Sequence, residues 1–371
     1  MRVSIMLAML LAPILSLAAA VAARAEPVTF DVGEFSERHY ARVTVEREAL
    51  GEVFIPGVIR VYDRKHPGKP IITIESEELT FDVDEGKIRA NVHELPYGEQ
   101  SLLIHEDFNF DGKKDLALMD GQFSCYHGPS FQVYLANDKG GFTHNEDFTG
   151  LAQEYCGFFQ TNAEEKTIRV MTKSGCCWHL FETYEVDGDR LRRIYAREEG
   201  MLASGNYLEE TVIEGSGKSE KTTHRYTLPG EDYTGTPPPI AFRFGLKSAP
   251  RKEVVLLFEY GMADYVLLNK KDKDKDRAEV EYSYELAAAG VMPPGKSRGE
   301  HILTLDAEND SVCFGIGDTT YTVIDQPGRL GVQVKQGRRV TFLAGDPDTR
   351  DGDLAAIRAA DNVKPGTCPL E

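Results

Sequence analysis

The sequence is poor in what nucleic-acid binding, membrane spanning or known catalytic chemistry would require. Lys and Arg number 42 against 60 Asp and Glu in 371 residues, a formal net charge of −18. No stretch is rich in basic residues, so phosphate is repelled and nucleic acid is excluded as a partner. Beyond the first residues no apolar run exceeds strand length. The best of them, Val254-Val255-Leu256-Leu257-Phe258, is far too short to cross a bilayer. Helical periodicity is nearly absent, with Asp351 to Ala360 suited to one short helix. There is no G-x-S-x-G elbow and no H-E-x-x-H pair. Where Cys and His are neighbours, at Cys176-Cys177-Trp178-His179, an oxidising compartment would bridge the thiols and remove them as nucleophiles. The chain therefore reads as a protein that is not an enzyme. Its 18 Phe and 16 Tyr are too many for a disordered chain.

What is present begins with an export signal. Met1-Arg2 is a charged start, Ile5 to Val21 is almost wholly apolar, and Ala23-Arg24-Ala25 is a small-x-small cleavage site. Residues 1–25 are thus expected to be a signal peptide, and the mature chain to be periplasmic or secreted. Loss of Arg2 and Arg24 leaves 40 basic against 60 acidic residues, a net charge of −20.

Six cysteines in an exported chain read as disulfides. Cys313 and Cys368 lie far downstream and are expected to pair. Cys125, Cys156, Cys176 and Cys177 allow three connectivities. Adjacent strand residues face opposite ways, so Cys176 and Cys177 are expected to take different partners, Cys125 and Cys156. A vicinal Cys176–Cys177 bridge is the strained alternative.

Strand signals dominate. Val58-Ile59-Arg60-Val61-Tyr62, Phe131-Gln132-Val133-Tyr134-Leu135, Tyr282-Ser283-Tyr284 and Thr320-Tyr321-Thr322-Val323-Ile324 are short, β-branched or aromatic, and largely alternating. Asn137-Asp138-Lys139-Gly140-Gly141 and Asp187-Gly188-Asp189 are hairpin turns, and Glu209 to Leu228 reads as one long hairpin. The fold class is all-β. Thr236-Pro237-Pro238-Pro239 is the clearest linker, which divides the mature chain into a β domain at 26–235 and a second at 240–371.

The strongest chemical signal is Asp107-Phe108-Asn109-Phe110-Asp111-Gly112-Lys113-Lys114-Asp115. Oxygen side chains stand at positions 1, 3, 5 and 9, Gly112 permits the bend at position 6, and the Lys113 carbonyl falls at position 7. Ca²⁺ takes six to eight oxygens, and this spacing wraps them around one ion. Position 12 is Leu118 and the flanks read as strands, so the expected motif is a structural calcium hairpin in a β protein.

In order along the chain, the strand at 58–62, the 107–115 bend, Phe131-Gln132-Val133-Tyr134-Leu135, Gly140-Gly141-Phe142, Gly175-Cys176-Cys177-Trp178 and Tyr184-Glu185-Val186-Asp187-Gly188 resemble a family of exported bacterial calcium-hairpin β proteins. That family is described as tachylectin-like or propeller-like and includes periplasmic immunity proteins that inhibit peptidoglycan hydrolases. The resemblance covers about residues 50–200. It implies an antiparallel meander or propeller-like first domain, with Asp107, Asn109, Asp111 and Asp115 as calcium ligands; the second domain is expected to be β-sandwich-like. It also implies a protein partner, a cell-wall hydrolase, which a strongly acidic chain would attract if cationic. Many bacterial lysozyme inhibitors present an S-G-x-x-Y loop; the nearest match here is Ser174-Gly175-Cys176-Cys177-Trp178, with Trp in place of Tyr. The alternative is a carbohydrate- or envelope-binding module that stacks sugars on Tyr126, Phe158, Phe159 or Trp178.

Overall fold

The computed structural model describes residues 26–33, 35–91, 101–175, 177–230, 238–270, 278–292 and 300–371. The expected signal peptide at 1–25, Cys176, and residues 236 and 237 of the proline stretch lie outside them.

The protein is all-β; its described residues form four sheets, none of them closed. The first contains β1 (Val28–Val32), β2 (His39–Val45), β3 (Ile55–Asp63), β4 (Ile72–Leu79), β5 (Val83–Asp84) and β6 (Lys87–Ile88), in the order β4-β3-β2-β1-β6-β5. Alternation sets its buried face: His39, Ala41, Val43 and Val45 of β2 point inward while Arg42 points out. The second sheet is a meander of β7 (Leu103–Ile104), β8 (Leu116–Met119), β9 (Phe131–Ala136) and β10 (Phe142–His144). Every residue of β8 is buried, as expected of a strand covered on both faces. Helix α1 (Glu146–Glu154) follows, its first turn capped by Asn145, whose side-chain oxygen accepts from Phe148 N at 3.0 Å.

The third sheet opens with β11 (Gln160–Asn162), β12 (Thr167–Ser174), β13 (Trp178–Asp187), β14 (Arg190–Met201), β15 (Leu208–Glu214) and β16 (Lys221–Thr227). It continues through β17 (Ile240–Leu246), β18 (Ala249–Glu259), β19 (Met262–Asn269) and β20 (Glu279–Ser283), joined to β16 by the pairing of Thr227 with Glu279. Val254 to Leu257 are buried in β18, so the apolar run noted in the sequence is a central strand. After the short helix α2 (Tyr284–Ala288), the fourth sheet contains β21 (Leu303–Asp306), β22 (Ser311–Ile316), β23 (Thr319–Gln326), β24 (Arg329–Gln336) and β25 (Arg339–Ala344). β26 (Asp351–Gly352) returns to β17, and β27 (Val363–Pro365) pairs with β21.

Among the described residues, buried apolar side chains form two clusters. One runs from Val32 to Val186 with Leu191 packed against it, and the other from Tyr207 to Ala360 with Leu202 and Val363 packed against it. The third sheet passes from one cluster to the other.

Local expectations differ from the structure at three places. Tyr284 begins a helix where a strand was expected, because the Ser283 hydroxyl caps it by accepting from Leu286 N at 3.1 Å. The short helix expected over 351–360 is a two-residue strand followed by a 3₁₀ helix over Leu354–Ala359, capped by Asp353. The third is the disulfide pattern. Cys313 pairs with Cys368 as expected, but Cys125 pairs with Cys156 and not with either residue of the adjacent pair. Cys177 lies in the turn before β13, so the strand alternation that would send neighbouring cysteines to opposite faces does not apply there. Cys177 is itself disulfide-bonded.

Candidate functional site

The bend over residues 107–115 joins β7 to β8, and its position is fixed by one aromatic side chain. Phe108 is fully buried, edge-on to Phe158 at 5.3 Å and to Phe159 at 5.4 Å. Around that anchor the oxygens fold inward onto backbone amides. Asp107 accepts from Asp111 N at 3.1 Å and from Gly112 N at 2.9 Å, and Asn109 Oδ1 accepts from Asp111 N at 3.3 Å. Gly112 has φ +88°, in the left-handed region that a side chain would strain. Asp111 accepts from Lys113 N at 2.8 Å and from its ammonium at 3.1 Å. The same ammonium reaches Asp138 at 3.0 Å. Burial opposes the Asp111 charge, but the Lys113 amide and ammonium outweigh it and hold the carboxyl below its usual range.

Asp115 differs from the other three. It is fully buried and accepts from Phe108 N and Ala136 N, each at 2.8 Å. Burial pushes its carboxyl up to about 6 against the pull of those amides. The five residues named from the sequence are thus in one bend, with Asp107, Asn109 and Asp111 sharing its inner amides and Asp115 tying the bend to β9. The oxygen-only donor set suits a hard cation. As the side chains stand, Lys113 supplies the positive charge on Asp111. No group of three or more His, Cys, Asp or Glu close enough to hold a metal occurs among the described residues.

The aromatic cluster behind the bend also supports a second feature. Phe158 follows Cys156 by two positions, and Cys156 is bonded to Cys125 with the Cα atoms 4.8 Å apart. Cys125 belongs to a loop over residues 121–128, of which the sequence singled out Cys125 and Tyr126 but not the exposed Phe123 or the backbone that carries them. Tyr126 and His127 hold φ of +56° and +60°, two consecutive non-glycine residues in the left-handed region, an arrangement that persists only where the surroundings impose it. Gly121, at φ +78°, lets the Phe123 ring lie against the backbone; a Cβ there would meet that ring at 2.2 Å. The loop displays Phe123, 62% exposed, and Tyr126, 56% exposed. Phe123 stacks on the exposed Phe54 at 6.4 Å. The Tyr126 hydroxyl accepts from Gly175 N at 2.5 Å, and the Lys173 ammonium lies 5.3 Å from its ring centroid. The turn after β12, the part of the sequence nearest the S-G-x-x-Y pattern, is therefore docked against the disulfide loop. Trp178 is half-buried, its indole N–H donating to Glu198 at 2.6 Å. Phe158 and Phe159, named as stacking platforms, are buried among Phe108, Phe131 and Phe148 and present no face to a sugar.

A cavity of about 580 Å³ borders β12, β13 and β14, lined by Tyr155, Arg169, Phe181, Glu182, Tyr195 and Arg197. Glu182 is buried; it accepts from the hydroxyls of Tyr155 and Tyr184 and from Arg193 at 3.0 Å. Burial, then the Glu182 contact, raises the Tyr155 phenol, so it stays protonated and donates. A carboxylate so fully engaged has little acceptor capacity left for proton transfer.

No protein-family model matches the chain, and no curated protein matches it. Among solved structures it is similar to a Xanthomonas type IV secretion system related protein, at 20% identity over 53% of this chain and 99% of that one, TM-score 0.42. A protein from Bacteroides uniformis assigned as a 6-phosphogluconolactonase is 6% identical over 82% of each chain, TM-score 0.19. At those scores neither likeness carries an argument about fold or activity.

Proposed function

We propose that the chain is an exported, non-catalytic, calcium-holding β protein that binds, and thereby inhibits, a peptidoglycan hydrolase. The observation that carries this reading is the disulfide-pinned loop over residues 121–128. Exposed aromatic side chains on a rigid, strained loop are what a protein-binding anchor needs, because little entropy remains to be lost on docking. The negative charge of −18 favours encounter with a cationic enzyme. The Cys125–Cys156 and Cys313–Cys368 bridges suit an oxidising compartment, periplasmic or extracellular. The test is the rate of peptidoglycan clearance by a panel of lysozyme-type and other murein hydrolases with and without the purified protein. Dose-dependent slowing of at least one enzyme supports the reading, and unchanged rates across the panel contradict it.

Calcium belongs to this proposal as a structural ion. Asp107, Asn109, Asp111, Asp115 and the Lys113 carbonyl would hold it, and Asp138 would keep the Lys113 ammonium when the ion takes its place on Asp111. Bound calcium neutralises carboxylates and stabilises the folded chain. At a hundredfold excess over its dissociation constant, one site contributes about 2.7 kcal/mol. Thermal unfolding is expected to shift upward by several degrees in millimolar Ca²⁺ and not in Mg²⁺, and the shift is expected to vanish in Asp107→Ala. Equal midpoints in calcium and in chelator would remove the ion from the account.

A second reading, a glycan- or envelope-binding module, is favoured by one observation. The cavity beside β13 combines Tyr155, Phe181 and Tyr195 with Arg169 and Arg197, and Arg197 lies 4.5 Å from the Phe181 ring. Retention on sedimented peptidoglycan without hydrolase inhibition would select it.

A further inference from the structure

The 121–128 loop does not stand alone on the surface. Among the described residues ten large apolar side chains are exposed, and five of them, Leu50, Val53, Phe54, Phe123 and Tyr126, lie in two touching loops. One is the 121–128 loop; the other, residues 46–54, joins β2 to β3. Val53 is 65% exposed, and Phe54 makes the stacking contact with Phe123. The second loop is anchored. Ala49 packs against the first core, Ile55 is buried in it, and the Val53 carbonyl accepts from the Thr80 hydroxyl at 3.3 Å. The end of β4 ties in the other loop, because the Glu78 carbonyl accepts from Gly121 N at 2.9 Å. Exposed apolar residues scattered singly need no explanation, whereas five on two anchored, touching loops mark a contact surface.

The charge beside these loops says what kind of partner fits. Residues 75–85, which run from β4 through β5, contain Glu75, Glu77, Glu78, Asp82, Asp84 and Glu85 and no Lys or Arg. That is six carboxylates in eleven residues, against 60 in 371 for the whole chain. All but Glu78 are exposed. Such a strip disfavours two occupants. Pairing of two copies through the patch would set their acidic strips near each other, and an anionic lipid surface would be repelled. A basic protein gains twice: its cleft takes the apolar side chains, and its cationic rim meets the carboxylates.

We propose that the 46–54 loop completes the docking surface begun by the 121–128 loop, and that the carboxylates of residues 75–85 steer a basic protein onto it. The proposal rests on the hydrolase reading and names the surface through which that enzyme is held. The test measures association and dissociation rates of the full chain on each hydrolase of the panel that it slows, at about 50 and about 300 mM salt. Val53→Ser combined with Phe54→Ser is expected to raise the dissociation constant about tenfold or more, chiefly through faster dissociation. Glu75→Gln, Glu77→Gln, Asp82→Asn and Asp84→Asn together are expected to slow association about tenfold at the lower salt and little at the higher. All six side chains are exposed, so both variants are expected to keep the wild-type thermal midpoint within a few degrees. Wild-type rates in either variant, on an enzyme whose binding Phe123→Ala weakens, would overturn the proposal and leave the hydrolase reading intact. A wild-type dimer in sedimentation that the Val53→Ser, Phe54→Ser variant loses would assign the patch to a second copy and overturn it as well. If no enzyme of the panel is slowed, the hydrolase reading fails and the proposal fails with it.

Discussion

Replacing Asp264 by alanine is expected to destabilise the second core by about 3–5 kcal/mol, enough to unfold much of it at 37 °C. Asp264 is 1% exposed, and four groups converge on it. Its Oδ2 accepts from the Tyr207 hydroxyl and from Ser283 Oγ at 2.7 Å; its Oδ1 accepts from Glu285 N at 2.9 Å and from His301 Nε2 at 3.1 Å. Burial raises the Tyr207 phenol well above its usual range, with the Asp264 charge adding to it, so the phenol remains a donor. Alanine leaves those donors facing an apolar interior, and the cost comes from their desolvation more than from a lost attraction. Tyr207→Phe removes one donor and leaves the others, so it is expected to cost only about 1–2 kcal/mol. Urea unfolding followed by circular dichroism separates the two. A loss below about 1 kcal/mol for Asp264→Ala would show that water satisfies the cluster. A serine, a histidine and an aspartate meet here, but Ser283 and His301 each bond to the aspartate and not to one another, which is not the hydroxyl-to-imidazole order of a Ser-His-Asp relay.

Phe108→Ala is expected to cost about 3–5 kcal/mol in the first core, the range for emptying a fully buried aromatic site. The ring fills the space between Phe158, Phe159 and the bend, and its own amide donates to Asp115. The variant therefore loosens the carboxylate bend and the segment leading to Cys156 together. Trp178, the single tryptophan, lies in β13 of the sheet that packs on this core and reports its unfolding by fluorescence. A loss under about 1 kcal/mol would mean that neighbouring rings collapse into the space and that the bend does not depend on its anchor.

Much of the fold was legible because period-two patterning is local. The hairpin turns at 137–141 and 187–189 and the long hairpin over 209–228 lie where glycine and Asx chemistry put them. Helix α1 was less legible: its nine residues include Thr149 and Gly150, and its clearest signal is the Asn145 cap with Glu146 and Asp147 behind it. The Cys125–Cys156 pairing depends on the distance between two loops, which no spacing rule encodes. The same holds for the sites. The 107–115 bend is contiguous and could be read directly. The 121–128 loop owes its rigidity to a distant cysteine and to Gly175, which no local pattern marks as its neighbours.

Affinity for an inhibited hydrolase, compared between the wild-type chain and a Phe123→Ala, Tyr126→Ala double variant, tests the recognition loop most directly. Both side chains are more than half exposed, so the thermal midpoint should stay within a few degrees. With two aromatic anchors removed, the dissociation constant is expected to rise about a hundredfold or more. An unchanged dissociation constant in a folded double variant would place the partner elsewhere on the molecule and contradict the account.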